Sequence, residues 1–200
     1  MILNSSLFRR FSLLFCILYL TSNFCHLPAE SLDSITVPPS FQKPLADIST
    51  VTALSAMLLP GIAQAAALAE DPANTEAAIY SSLTYAGTLS LTYAATALIK
   101  ELFPRTRPFP DISDDPEASF PSRHTAMAAA AASFATILSF TDSGPDTVEA
   151  ITLAGSWSAA VATGVLRVAS GEHFLSDVVA GALIGAGIGL LGGMLSRQLK

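Results

Sequence analysis

Residues 178–196 read VVAGALIGAGIGLLGGMLS. No charged residue interrupts the run, and nothing in it alternates as a half-buried strand would. As a helix rising about 1.5 Å per residue, it matches the ~30 Å hydrocarbon core of a bilayer. Gly181, Gly185, Gly189 and Gly193 recur at every fourth position. On a helix they form one stripe with no side chains, a face against which a second helix can lie very close. This stretch therefore predicts a membrane-type helix clasped to a partner, within an all-α bundle.

Four more uncharged stretches precede it, at 48–69, 77–99, 125–141 and 150–166. Their lengths suit membrane helices, and Pro60-Gly61 predicts a kink in the first. The whole 200-residue chain carries only 13% charged residues against 51% hydrophobic ones, with a mean hydropathy of +0.52. Such a composition excludes a disordered chain. The net charge of −6 speaks against a nucleic-acid partner held through phosphates. Heavy use of Ala, Ser, Thr and Gly keeps open a second architecture, a soluble helical domain of the periplasm. Cys16 and Cys25 provide neither a disulfide framework nor a metal site.

Towards the N-terminus, Arg9 and Arg10 precede a short apolar run at 11–20. Residues 1–25 read as a signal peptide or an uncleaved signal anchor. Residues 26–44, with Pro28, Pro38, Pro39 and Pro44, read as an extended linker, which leaves 45–200 as the helical domain. With Arg9 and Arg10 inside the cell, Arg197 and Lys200 also end inside. The ends of the bundle that hold the other cations then face the exterior of a cell-envelope protein.

Those cations are the informative residues. Of ten Lys and Arg in the chain, Lys100, Arg105, Arg107, Arg123 and Arg167 fall in only two regions, each at the end of an apolar stretch. His124 and His173 lie in the same two regions. If every stretch spans, both regions come to the same side of the membrane.

The first region runs Lys100-x6-Arg107-Pro108, followed by Pro121-Ser122-Arg123-His124. The second runs Leu166-Arg167-x5-His173-x3-Asp177. In order and spacing this resembles the PAP2 superfamily of type 2 phosphatidic acid phosphatases, bacterial acid phosphatases and vanadium haloperoxidases. The resemblance implies a helical bundle and hydrolysis of phosphate esters without a metal or other cofactor. It assigns His173 as the nucleophile that becomes phosphohistidine. It assigns His124 as the acid that protonates the leaving oxygen and then as the base that activates water.

The chemistry fits those residue types. A phosphate monoester carries about two negative charges, and Lys100, Arg107 and Arg167 can converge on its oxygens, the arginines through planar forks. Asp177, four residues after His173, shares its helix face and can hold one ring nitrogen protonated. Two histidines that start in opposite protonation states predict a bell-shaped pH profile.

Ser122 is expected to offer its hydroxyl or backbone N–H to the phosphate. Two positions depart from the family pattern. Arg123 replaces a glycine and is either a fourth phosphate ligand or a contact for lipid headgroups, and Leu166 replaces a serine. Arg105 is no family position and reads as a headgroup contact or a solvated charge. The expected substrate is a phosphorylated lipid, of the phosphatidic acid or polyprenyl diphosphate class, or a small phosphate ester. A vanadate-dependent haloperoxidase and a non-catalytic binder of lipid phosphates are the rival readings.

Overall fold

The computed structural model describes residues 39–70, 75–112, 115–140 and 145–199. The 1–25 signal segment and the linker up to residue 38 lie outside them. Among the described residues there are five long helices: α1 (Pro39–Glu70), α2 (Thr75–Leu102), α3 (Arg123–Ser139), α4 (Thr147–Ala169) and α5 (Leu175–Gln198). Among the described residues there is no strand, only an isolated bridge between Arg105 and Ala118.

Each helix overlaps one of the uncharged stretches. The clearest difference is at α1, which starts at Pro39 and not after residue 44. Proline at a first helical position gives up an N–H that has no intrahelical partner anyway, and its fixed φ suits the helix. The helix also continues through both Pro44 and Pro60, so Pro60-Gly61 does not end it.

The bundle is built around α3, which contacts all four other helices. Its sequence explains why. Ala126, Ala128, Ala129, Ala130, Ala131 and Ala132 are all buried, on every face of the helix. Only methyl-sized side chains leave room for neighbours all round. The glycine stripe of α5 completes the closest of these contacts. A Cβ built on Gly181, Gly185 or Gly189 would lie 2.4, 1.9 or 2.3 Å from the carbonyl oxygens of Ser122, Ala126 and Ala130. The four-residue period of α5 thus matches a four-residue period of α3 carbonyls.

The outer surface inverts the usual rule. On α2 the buried positions are Ser81, Tyr85, Thr88, Thr92 and Thr96. The hydroxyls of Thr88, Thr92 and Thr96 bond back to carbonyls one turn earlier, so burial leaves no donor unmatched. The large apolar residues point outward instead. Val51, Leu58, Ile62, Leu83, Leu91, Ile151, Val161 and Val165 are all about 60% exposed. An apolar belt this continuous fits lipid, not water, and the fold is that of a membrane-embedded bundle.

Among the described residues, three helices are long and apolar enough to cross a membrane: 27 residues of α1, all of α4 and all of α5. By that measure α2 and α3 do not qualify, unlike the expectation from sequence. The threonine row lowers α2, and α3 has only 17 residues, shielded by protein on every side.

Candidate active site

The chain's up-and-down course brings the end of α2, the start of α3, the end of α4 and the start of α5 to one end of the bundle. Two connections are held together there. The 103–122 segment folds back on itself through Arg105 N–H to Glu117 O, Ser119 N–H to Arg105 O and Arg107 N–H to Pro116 O, at 2.8–2.9 Å. Lys100 helps hold it, its ammonium donating to the carbonyl of Ala118. The α4–α5 turn is pinned to this segment by Phe109 N–H to Gly171 O, 3.2 Å. Gly171 has φ +74, and a Cβ there would overlap the Phe109 ring at 1.9 Å. Only glycine fits this contact.

Two guanidiniums converge at the centre. Arg107 Nη1 donates to the carboxylate Oε2 of Glu172 and to its main-chain carbonyl at 3.1 Å. Arg167, only 5% exposed, donates through Nη2 to the same Oε2 at 3.1 Å and through Nη1 to Ser49 Oγ at 3.3 Å. Arg167 Nη2 also lies 3.3 Å from His173 Nε2. A guanidinium can only donate, so Nε2 presents its lone pair to this centre and the proton resides on Nδ1.

His173 Nδ1 faces Asp177 Oδ2 at 3.8 Å, beyond hydrogen-bond reach, and has no other partner. The Asp177 carboxylate is instead engaged by Ser119 Oγ at 2.5 Å, Arg105 Nη1 at 2.6 Å and the Phe174 N–H at 3.0 Å.

The His173 imidazole, in the turn between α4 and α5, is pushed down from 6.5 to about 3. Burial is the main cause. Asp177 opposes it, and the positive charges of Arg167, Arg107 and Lys100 add to it. The folded protein therefore favours the neutral ring. This contribution to stability is complete above the ordinary value of 6.5 and is lost as pH falls from there towards about 3. In a pH titration of labelled imidazoles, the His173 resonances should stay unshifted from about pH 8 to about pH 5, where an ordinary histidine titrates.

The other expected residues divide. His124 opens α3, half-buried, within electrostatic reach of Arg167, Arg123, Arg107 and Lys100. Arg123 lays its guanidinium 4.7 Å from the centre of the Tyr93 ring and does not join the two converging arginines. Ser122 differs from expectation more clearly. Its hydroxyl pairs with Thr125 Oγ1 at 2.9 Å, and its N–H donates to Asp177 O at 2.9 Å. The first bond is local to the start of α3 and the second joins α3 to α5; the residue is fully buried.

Arg105 is not a solvated charge. It pairs with Asp177, donates to Ser176 Oγ and stacks on Phe174 at 4.2 Å. Ser49, Ser119 and Glu172 were not foreseen either. Only the position of Glu172, beside a histidine in a charge-poor chain, offered a signal. Among the described residues, no group of three or more His, Cys, Asp or Glu side chains could hold a metal ion.

Two arginines clasping the Glu172 carboxylate thus meet beside a histidine lone pair at one end of a helical bundle. The sequence model of the PAP2 superfamily matches residues 81–195, more than half of the chain, and the chain belongs to that superfamily. One solved structure is described as that of the first transmembrane PAP2 type phosphatidylglycerolphosphate phosphatase from Bacillus subtilis. It shares 19% identity with a TM-score of 0.52, over 96% of this chain and 97% of that one. At that identity the likeness concerns the fold. No curated protein matches the chain.

Proposed function

We propose that this protein is a membrane phosphatase acting on phosphate monoesters or diphosphates of lipids, with its site outside the cytoplasm. The carrying observation is the convergence of Arg107 and Arg167 on one anion position, with His173 Nε2 beside them. The transmembrane phosphatase with the same fold, which acts on a lipid phosphate by its description, supports the substrate class. The apolar belt around the helices supports a site at headgroup depth. Arg197 caps the carbonyls of Ile137 and Phe140 at the opposite end of α3, the end expected to face the cytoplasm.

In this reading Lys100, Arg107 and Arg167 bind the phosphoryl oxygens and stabilise the charge that spreads over them during transfer. Ser122 acts from behind by fixing the start of α3, and Arg123 stands at the rim with Tyr93. His173 Nε2 attacks phosphorus, forming a P–N bond as the P–O bond to the leaving group breaks. His124 gives that oxygen a proton. Asp177 offsets the positive charge that develops on the His173 ring, a role in which the 3.8 Å gap closes as the imidazolium forms. Water then attacks phosphorus and yields its proton to His124. The P–N bond breaks, and inorganic phosphate leaves.

The test is a panel assay of the purified protein against phosphatidic acid, phosphatidylglycerolphosphate, polyprenyl diphosphate and p-nitrophenyl phosphate, with EDTA present throughout. Lipid phosphates should be hydrolysed at undiminished rates in EDTA. Hydrolysis of none of the four, or activity abolished by the chelator, would overturn the reading.

A further inference from the structure

Glu172 is a charged group between the two arginines that this mechanism leaves without a task. Its side chain is about 10% exposed, so it is no solvated surface acid. Its Oε2 occupies the point where the guanidiniums of Arg107 and Arg167 meet, next to the nucleophile's lone pair. The cradle that would hold a phosphate already holds an anion belonging to the chain.

We propose that Glu172 is a resident anion that a substrate phosphate must displace, and that it sets which phosphates can enter. The inference rests on the phosphatase reading above. A carboxylate brings one negative charge and two oxygens to the arginine forks. A phosphodiester brings the same, one charge and two unesterified oxygens, and so gains little by displacing an acid already tethered in place. A phosphate monoester or a terminal diphosphate brings about two charges and three oxygens and displaces it at a net gain.

The distinction matters for a pocket at headgroup depth. The bulk phospholipids surrounding it are phosphodiesters, present at far higher concentration than any lipid monoester. A bare cradle of two arginines and a lysine would be filled by them. Glu172 keeps that cradle closed to the membrane's own headgroups and open to the more highly charged minority.

The test measures binding, not turnover. Inorganic phosphate and dimethyl phosphate, a soluble monoanionic diester, are titrated by calorimetry into detergent-purified protein and into Glu172→Gln, which keeps size and shape but removes the charge. The parent should bind phosphate at least tenfold more tightly than dimethyl phosphate. In Glu172→Gln dimethyl phosphate should bind about tenfold more tightly than in the parent, with a smaller gain for phosphate, so that discrimination narrows. Dimethyl phosphate should then also inhibit monoester turnover competitively, raising KM and leaving kcat unchanged.

Equal or weaker binding of both anions in the variant would overturn the proposal, since it would mean Glu172 only scaffolds the arginines. If Glu172→Gln is not monodisperse and helical, Glu172→Asp carries the same test, its retracted carboxylate giving a smaller shift in the same direction. Loss of phosphatase activity in the parent with this anion selectivity intact would refute the catalytic reading and leave the resident anion standing.

Discussion

Replacing His173 with alanine is expected to lower kcat by a factor on the order of 10³–10⁶, the range seen when a nucleophile is removed from an assembled site. The imidazole Nε2 lies 3.3 Å from the Arg167 guanidinium, to which it presents its lone pair. The loss should appear in kcat far more than in phosphate binding, because Lys100, Arg107 and Arg167 all remain. Steady-state hydrolysis of p-nitrophenyl phosphate, together with phosphate calorimetry on the same preparation, separates the two. A variant that hydrolyses as fast as the parent would remove His173 from the mechanism. Far-ultraviolet circular dichroism should be unchanged, since the side chain makes one long contact to Arg167 and leaves Nδ1 unpaired.

The second large effect concerns the stripe. Gly185→Ala adds one methyl group where a Cβ would stand 1.9 Å from the carbonyl oxygen of Ala126. That neighbour is helix backbone and cannot swing aside. Either α5 withdraws from α3 along its length or the helix distorts, and overpacking of this kind destabilises by about 1–3 kcal/mol or more. The control is the same substitution at Gly87 on α2, where nothing lies within 4 Å. There the methyl group should stabilise the helix by roughly 0.5–1 kcal/mol. Thermal unfolding of both variants in one detergent checks the pair. Equal midpoints would mean that α3 and α5 are not packed as described.

Withdrawal of α5 would also carry Asp177 away from Ser119 and His173 away from Arg167. Activity should therefore fall in Gly185→Ala although the substitution lies two turns from Asp177.

Much of this was legible in the sequence because glycines, prolines and charges are sparse enough to punctuate it. The stripe at 181, 185, 189 and 193 predicted a close helix partner, and α3 supplies it. The two cationic regions shared an end because helices long enough to span must alternate direction. What the pattern could not carry was pairing inside the pocket. A charge in a motif and a charge outside it look alike in one dimension. Arg105, outside the family pattern, proves to be Asp177's ion-pair partner. Arg123, inside the motif, turns to Tyr93. Glu172 was hidden because it is no position of the family pattern, although it stands directly before His173 in a short turn. The helix ends were also blurred, since Pro39 can open a helix as readily as it can sit in an extended segment.

Ser49 Oγ accepts from Arg167 at 3.3 Å, and Thr52 meets Thr163 hydroxyl to hydroxyl at 2.9 Å. Both serve from α1, which lies wholly before residue 81, where the superfamily match begins. Anyone transplanting this machinery into another scaffold, or trimming it to its recognisable motifs, would thus leave behind the strut that aims one of its two arginines.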